Sequence, residues 1–170
     1  MSKRAEFFMR GRELLAEPHH YLASGLPNVF LLNGVTETVT SYGPMLHIEN
    51  IHGLHRAIGL HIAEKPQAIT GGEFRFLRRQ LGLTQGALAS RMHVSDQTIA
   101  NYEKDKTGLG PADPFIRALY LVHVLPDQTR VEVLKPMMEK KAKSTPKKLP
   151  DVTRLKVVEG WRESGRRQAA

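Results

Sequence analysis

The stretch from Leu81 to Glu103, LGLTQGALASRMHVSDQTIANYE, constrains the fold more than any other part of the chain. Its apolar residues recur at helical spacing in two short segments, and Thr84 and Ser95 stand at the start of these segments as helix N-caps. The stretch therefore predicts two short amphipathic helices joined by a tight turn. The second helix exposes amides and hydroxyls, which are the groups that read base edges in a DNA major groove. This pattern favours a sequence-specific DNA-binding protein over an enzyme.

Length and composition exclude several other classes of protein. A chain of 170 residues suits one domain, or one compact domain with an appendage. No run of eighteen apolar residues is present, and the N-terminal sequence lacks the apolar core of a secretory signal. Cysteine is absent, which excludes disulfides and thiolate zinc sites. We therefore expect a cytoplasmic protein with no membrane association.

The net charge of +8 is distributed unevenly along the chain. Residues 139–170 hold ten Lys and Arg against four Asp and Glu, whereas residues 1–138 hold fifteen against thirteen. The basic character therefore lies mainly in a C-terminal tail. Such a tail either attracts polyanions without sequence preference or is simply a solvated extension, and the sequence leaves both interpretations open.

The N-terminal third has a mixed pattern. Mixed charges predict a frayed helix around Ala5–Leu15. Two β-prone runs, Val29–Leu32 and Met45–Ile48, adjoin the turn signals Asn33-Gly34 and Gly43-Pro44, and they predict a small antiparallel sheet. A helix is predicted from Gly53 to Glu64, with Leu54, Ile58 and Ile62 on one face.

Further start signals surround the central stretch. Thr70 and Glu73 have the spacing of a capping box, and Asp113-Pro114 is a typical helix start. The helix after Thr70 is predicted to place one stripe of residues inward, and so is the helix after Asp113. The first stripe is Phe74, Leu77, Arg78 and Leu81, and the second is Phe115, Leu119 and Val122.

These signals divide the chain into four regions and predict a mainly α fold. Residues 1–65 form an N-terminal α+β region, and residues 66–125 form a helix-turn-helix DNA-binding domain. Residues 126–143, beginning at Pro126-Asp127, form a C-terminal helix, and residues 144–170 form a basic, partly disordered tail.

Two segments resemble known families. Residues 73–124 resemble the helix-turn-helix domain of the lambda repressor and Cro-like family, also called the XRE family. Residues 21–69, including SGLPNVFLLNGV and IHGLHRAIGLHIAEK, are similar to the N-terminal parts of MqsA-type antitoxin regulators, although this chain lacks the zinc-binding cysteines of that type. The residues that carry the first resemblance are Leu77-Arg78, Leu81-Gly82-Leu83-Thr84-Gln85, Leu88-Ala89, Val94-Ser95, Thr98-Ile99 and Tyr102-Glu103.

The first resemblance implies a lambda-repressor-like fold whose recognition helix begins at Ser95. It implies that Gln85 holds a DNA phosphate and that Ser95, Asp96, Gln97 and Asn101 are the base-reading positions. The chemistry agrees independently, because Gln97 and Asn101 lie four apart and each can pair bidentately with adenine. Asp96 can accept from cytosine N4, but it would repel a phosphate. The alternative is that these are only exposed polar residues on a surface helix.

The predicted recognition helix carries no positive charge of its own, so affinity has to come from its surroundings. Helix N-termini at Gln85 and Ser95 would help to bind phosphates. Because one such domain reads only a few base pairs, a homodimer on a palindromic double-stranded site is the expected form. The predicted phosphate-binding residues are Arg75, Arg79, Thr84, Gln85, Arg91, Thr98, Lys104 and Lys106.

Four residues carry structural expectations. Arg78 lies on an apolar stripe, where an unpaired charge would be costly, and Glu103 is its obvious partner. The resemblance implies a buried arginine–glutamate pair here, so we expect both residues to be structural; the alternative is that Arg78 reaches a phosphate. His93 stands where the inter-helix turn often has glycine, and a positive φ is expected there. Gly86, inside a helix, is expected to allow close approach of the backbone to a phosphate or to the preceding helix.

No motif indicates catalysis or a cofactor. The chain shows no phosphate-cradling glycine loop, no Ser-His-Asp arrangement and no paired catalytic carboxylates. His52 and His55 could share a helix face, but His61 is badly spaced for the same metal and no carboxylate completes a ligand set. We therefore expect no enzyme activity, no cofactor and no metal.

Two functions remain after this reading of the sequence. The first is a transcriptional regulator, namely a dimeric repressor that binds double-stranded DNA. The second is an antitoxin that binds a toxin protein through residues 1–65 and represses its own operon. The two roles are compatible with each other.

Overall fold

The structure is a computed structural model that describes residues 4–127, 129–130 and 160–163. The described residues divide into two compact units, residues 4–58 with 160–163 and residues 59–127 with 129–130. The division falls inside a helix, whereas we placed the domain boundary after residue 65. Within the described residues, no helix combines the length and the apolar character needed to cross a bilayer.

A four-stranded sheet organises the first unit. Strand β1 (Ala5–Met9) pairs in parallel with β3 (Val29–Leu31), and β2 (His19–His20) pairs antiparallel with the other edge of β3. The fourth strand, β6 (Trp161–Glu163), pairs antiparallel with β1, so the strand order is β2-β3-β1-β6. The sheet therefore joins the first described segment of the chain to the last one.

The helix predicted at Ala5–Leu15 is wrong, because Ala5–Met9 is a strand. Ala5, Phe7 and Met9 are buried, and the residues between them are partly exposed, which is the two-residue period of a half-buried strand. This strand bonds to partners distant in sequence, and local charge pattern carries no information about such pairing.

The second sheet of this unit is an exposed two-stranded hairpin. Strands β4 (Val35–Thr40) and β5 (Gly43–Ile48) pair antiparallel. Val39 at 84% and Tyr42 at 98% are among the most exposed apolar side chains of the described residues. The predicted strands at Val29–Leu32 and Met45–Ile48 are thus both present, but their predicted pairing with each other is wrong because each lies in a different sheet.

Asn33 and Gly34 contact β1 and Trp161 in addition to forming a turn. The Asn33 side chain is buried, accepts from the Met9 N–H at 2.5 Å and donates to the Met9 carbonyl at 2.9 Å. It therefore bonds the backbone at the end of β1, where β3 has already ended. Gly34 has φ +71°, and a Cβ there would lie 2.8 Å from the Trp161 ring. The backbone angle and the contact both favour glycine at this position.

Trp161 lies within residues 144–170, the range that we predicted to be a basic, partly disordered tail. Its side chain is fully buried, and its indole N–H donates to the Glu49 carbonyl at 2.9 Å. Residues 160–163, the described part of that range, therefore belong to the sheet of the first unit.

His55 makes the stability of the first unit depend on pH. Its Nε2 hydrogen-bonds the Tyr21 hydroxyl at 2.8 Å, and burial together with the charge of His52 lowers the pKa of His55 below its usual 6.5. The folded unit then binds fewer protons than the unfolded chain, so the free energy of unfolding should fall as pH drops below 6.5. We expect a lower urea midpoint at pH 5.5 than at pH 7.5, followed by the fluorescence of Trp161, the single tryptophan.

The control for this pH prediction is His55→Gln, which keeps a hydrogen-bonding group and does not titrate. The variant should show a smaller difference between the two midpoints than the wild-type chain. An equal difference in both proteins would assign the pH dependence to other groups.

The second unit is helical, and local sequence accounts for where its helices begin. Thr70, Thr84 and Ser95 are N-caps, and Thr70 and Glu73 form the predicted capping box. The predicted helix at Gly53–Glu64 is also confirmed, and the division between the units lies within it. The helices are α1 (Ile51–Glu64), α2 (Gly71–Gln80), α3 (Gln85–Met92), α4 (Asp96–Glu103) and α5 (Ala112–Val124).

The predicted inner face of α5 is wrong. Phe115 is 38% exposed, and Leu119 and Val122 are only half-buried. The buried side chains are instead Ala112, Ile116, Tyr120 and Leu121. Tyr120 decides this orientation, because its ring packs where a Cβ on Gly59 of α1 would lie only 2.2 Å from the tyrosine hydroxyl.

Arg117 fixes the connection between α1 and α2. Its guanidinium donates to the carbonyl of Lys65 at 2.5 Å and also to the carbonyl of Gln67, and it pairs with Asp113 one turn earlier on α5. The Asp113 carboxylate in turn accepts from the Ile69 N–H at 3.1 Å. These contacts hold the entry to α2 in place. The predicted helix at 126–143 lies mostly outside the described residues.

Candidate nucleic-acid interface

Helices α3 and α4 form the predicted pair joined by a tight turn. The Thr84 hydroxyl accepts from the Ala87 N–H at 3.0 Å at the start of α3, and the Ser95 hydroxyl accepts from the Thr98 N–H at 3.1 Å at the start of α4. Between them His93 ends α3 in the left-handed region, with φ +55°. The positive φ expected at His93 is thus confirmed, and the turn carries some strain that glycine would not.

A small apolar core fixes α4 against its neighbours. Leu88 and Ala89 on α3 and Ile99 on α4 are almost completely buried. Tyr102 on α4 meets the ring of Phe74 on α2 edge-on, with the centroids 5.9 Å apart. Both contacts come from one side of α4, and the residues Asp96 and Gln97 are exposed on the helix.

Arg78 and Glu103 form the buried ion pair that we expected. Arg78 Nε donates to Glu103 Oε1, and the two side chains are only 10% and 5% exposed. A second guanidinium nitrogen of Arg78 donates to the Leu83 carbonyl at 2.6 Å, in the loop between α2 and α3. The arginine is therefore engaged inside the domain rather than directed outward to a phosphate.

Glu103 also interacts with two of the predicted phosphate-binding residues, Gln85 and Arg75. Gln85 Nε2 donates to Glu103 Oε2 at 2.8 Å, and Arg75 Nε lies 3.9 Å from the same oxygen. One carboxylate thus connects α2, the first residue of α3 and the last residue of α4. Sequence reasoning missed the link between Gln85 and Glu103, since no local pattern relates residues that far apart.

Gly71 allows a close approach between α2 and the end of α4. A Cβ on Gly71 would lie 2.2 Å from the Tyr102 carbonyl oxygen, and the Gly71 N–H donates to Asp105 Oδ1 at 2.6 Å. Asp105 has φ +53°, a conformation that aspartate adopts more readily than most residues. The start of α2 is therefore bonded directly to the end of α4, a contact that the two consecutive glycines did not reveal.

We expected Gly86 to approach a phosphate or the preceding helix, but it lies close to Asp96. A Cβ there would lie 3.1 Å from Asp96 Oδ2, so this glycine makes room for a carboxylate of α4 rather than for α2. Asp96 is exposed, and it is the first residue of α4. Its negative charge lies beside the start of α3, where a helix dipole favours an anion.

The four predicted base-reading positions lie together at the outer side of α4, and the structure shows how their polar groups are engaged. The Ser95 and Thr98 hydroxyls are 2.9 Å apart and hydrogen-bond each other. Gln97 Nε2 donates to Asn101 Oδ1 at 3.1 Å. Gln97 is exposed and Asn101 half-buried, so this pair presents polar atoms to solvent on the free side of the helix.

The basic residues around α4 are exposed. Of the acidic residues beside them, Glu103 pairs with Arg78 and lies 3.9 Å from Arg75, and Asp105 accepts from the Gly71 N–H. Arg91 also donates to the Ala87 carbonyl of its own helix at 3.0 Å. The exposed basic residues are Arg75, Arg79, Arg91, Lys104 and Lys106.

The histidines do not assemble a metal site in the part of the chain that the structure describes. Among those residues no three His, Asp or Glu side chains come close enough together to hold an ion. His55 is engaged with Tyr21, and His20 stacks on Phe30 with the ring centroids 4.5 Å apart.

Comparison with known proteins agrees with this geometry. A family model described as a helix-turn-helix domain matches residues 71–128, a range that starts with the first residue of α2 and includes α3, α4 and α5. No solved structure matches the chain. Residues 71–128 therefore match a helix-turn-helix domain, and this type of domain commonly binds DNA and regulates transcription.

Proposed function

We propose that this protein is a sequence-specific regulator of transcription that binds double-stranded DNA through α4 and has no enzymatic activity. The observation that carries the proposal is the free side of α4, where Gln97 and Asn101 present amide groups within a helix-turn-helix domain. Amides of this kind complement base edges in the major groove. The similarity of residues 73–124 to the lambda repressor and Cro-like family supports the same assignment.

The affinity would come from phosphate contacts around α4. Arg75, Arg79 and Lys104 are exposed cations on α2 and at the end of α4, and the first residues of α3 and α4 add helix N-termini. Thr84, Gln85, Arg91, Thr98 and Lys106 complete the proposed phosphate-binding set. Ser95, Asp96, Gln97 and Asn101 are the proposed base-reading set.

The proposed active form is a homodimer that acts as a repressor. A single α4 reaches only a few base pairs. In a dimer on a palindromic site, each copy makes the same contacts to one half-site, so the number of contacts doubles. Sedimentation of the free protein and of its complex with duplex DNA measures the stoichiometry. One copy per selected site would contradict the dimer.

The experiment that tests DNA reading is selection from random duplexes with the full chain at moderate salt. We expect enrichment of a short motif, and footprinting should show protection of the same motif. Failure to enrich any motif would refute sequence-specific binding.

A charge variant tests the phosphate contacts separately. Arg79→Ala should weaken binding to all duplexes alike and reduce the slope of log K against log salt by about 1, because one counterion fewer is released. Arg10→Ala is the matched control, since Arg10 is also an exposed arginine but belongs to the first unit. Equal losses in the two variants would indicate a general charge effect.

The exposed hairpin favours a second candidate function, that of an antitoxin. Val39, Tyr42, Met45 and Leu46 expose apolar surface on a two-stranded sheet, an arrangement that is marginally stable without a partner. A toxin protein bound to the first unit would cover this surface, which agrees with the similarity of residues 21–69 to MqsA-type regulators.

The antitoxin proposal predicts a dedicated protein partner. Co-expression with the product of an adjacent small reading frame should relieve its toxicity, and the change of Val39 and Tyr42 to serine should abolish that relief while DNA binding persists. Relief by both proteins alike would place the binding surface elsewhere.

A further inference from the structure

The amide groups of Gln97 and Asn101 act as one unit. The two residues lie one turn apart on α4, and Gln97 Nε2 donates to Asn101 Oδ1 at 3.1 Å. From the sequence, each amide was expected to pair with an adenine of its own. The hydrogen bond between them changes that expectation, because a side chain that is occupied by its neighbour is not an independent reader.

Counting donors and acceptors shows what the pair leaves free. A glutamine amide has two N–H donors and one carbonyl oxygen with two acceptor sites. Gln97 uses one N–H on Asn101, so it retains the second N–H and the whole carbonyl group, which are adjacent on one edge of the amide. Asn101 has used one of the two acceptor sites of its carbonyl oxygen, so a bidentate contact of its own would have to share that oxygen with Gln97.

The free edge of Gln97 matches one base. Adenine presents N7 as an acceptor and the N6 amino group as a donor, which meet one N–H and one carbonyl oxygen. Guanine presents two acceptors, N7 and O6, so its O6 would oppose the Gln97 carbonyl oxygen. Thymine presents only an acceptor and a methyl group, and cytosine only a donor, so neither can pair with both atoms.

The two neighbouring hydroxyls are engaged with each other. The Ser95 and Thr98 hydroxyls bond each other at 2.9 Å, and the Asp96 carboxylate lies beside Gly86 at the start of α3. Gln97, by contrast, is exposed and directs a donor and an acceptor outward. The long glutamine side chain would otherwise lose considerable rotamer freedom on binding, and the bond to Asn101 removes part of that freedom beforehand.

We propose that Asn101 is a positioning residue that holds the amide of Gln97, and that Gln97 alone of the two reads an adenine in the major groove. This inference rests on the proposed DNA-binding function and makes it more specific. It states which residue contacts the base, which one orients the contact and which base is selected.

The test is selection from random duplexes with the full-length chain and four variants. The wild-type chain should prefer adenine over other bases by about 10-fold or more at one position. Gln97→Ala should lose that preference, and Asn101→Ala should reduce it several-fold at the same position. The double variant should match Gln97→Ala, because positioning has no effect without the reader.

Asn101→Asp separates positioning from a merely structural role. An aspartate keeps the acceptor for Gln97 Nε2 and lacks the donor groups of asparagine. It should retain the preference for adenine while weakening binding to all duplexes through its negative charge. Thermal unfolding of each variant shows that the domain remains folded.

A chemical change in the DNA gives the same answer independently. Replacement of the selected adenine by 7-deazaadenine removes N7 and should weaken wild-type binding several-fold, with no effect on Gln97→Ala. Loss of preference at a different base pair in Asn101→Ala would overturn the proposal, as would an unchanged preference in that variant. If the wild-type chain enriches no motif, the proposed DNA-binding function itself fails. If it enriches a motif but Asn101→Ala leaves the preference for adenine unchanged, only the positioning role of Asn101 fails.

Discussion

Glu103→Ala is expected to lower the free energy of unfolding of the helical unit by about 3–5 kcal/mol. The change leaves the Arg78 guanidinium buried without its carboxylate and also removes the acceptor of Gln85. Since the side chains of Arg78 and Glu103 are only 10% and 5% exposed, solvent cannot replace the lost contact. Urea unfolding followed by far-ultraviolet circular dichroism measures the change.

Two controls define what this result means. Lys104→Ala removes an exposed charge next to Glu103 and should change the free energy of unfolding by less than about 0.5 kcal/mol. The double change of Arg78 to Met and Glu103 to Leu should recover part of the loss, because no charge remains buried. A loss in Glu103→Ala as small as that in Lys104→Ala would contradict a buried pair.

Gly71→Ala is expected to destabilise the same unit by about 3 kcal/mol, at the upper end of overpacking effects. The added methyl group would lie 2.2 Å from the Tyr102 carbonyl oxygen, which belongs to the backbone and cannot rotate away. The start of α2 would have to move from the end of α4, and the bond from Gly71 to Asp105 would lengthen. The same urea experiment measures the loss.

Gly108→Ala is the matched control for this clash. No atom lies within 4 Å of the position of its added methyl group, so the change should be close to neutral. If the two alanine variants unfold at similar urea concentrations, the contact between Gly71 and Tyr102 is not as close as the structure places it.

The helical unit could be predicted because its signals are local. Thr84 and Ser95 each cap a helix through a bond to a residue three positions later, which is visible within a few letters of sequence. The burial of Arg78 was inferred from one charge on an apolar stripe, which is also a local signal. Its pairing with Glu103 was not local, and it was supported by the resemblance to the lambda repressor and Cro-like family.

The first unit could not be predicted in the same way. Strand β1 pairs with Val29–Leu31 and with Trp161–Glu163, and neither partner is adjacent to it in sequence. Helix periodicity and strand alternation overlap in a segment as short as Ala5–Met9, so only pairing decides between them. The face of α5 was missed for a similar reason, since Tyr120 packs against Gly59 of α1, four helices earlier.

The sequence predicted which residues form the candidate interface, but not the hydrogen bonds between their side chains. The sequence identifies Gln97 and Asn101 as exposed amides on one helix face, and their spacing allows contact with each other as well as with bases. Side-chain geometry was needed to decide which contact forms. The same holds for Gln85, whose bond to Glu103 depends on the approach of α3 to the end of α4.

The pairing of β6 with β1 has a consequence for how the protein is made. Along the chain, β1 precedes the helix-turn-helix domain and Trp161 follows it. Domains usually fold in the order in which they are synthesised. Here the four-stranded sheet cannot form in full until Trp161–Glu163 has been synthesised, so the helix-turn-helix domain is expected to fold on nascent chains in which β1 still lacks its partner β6.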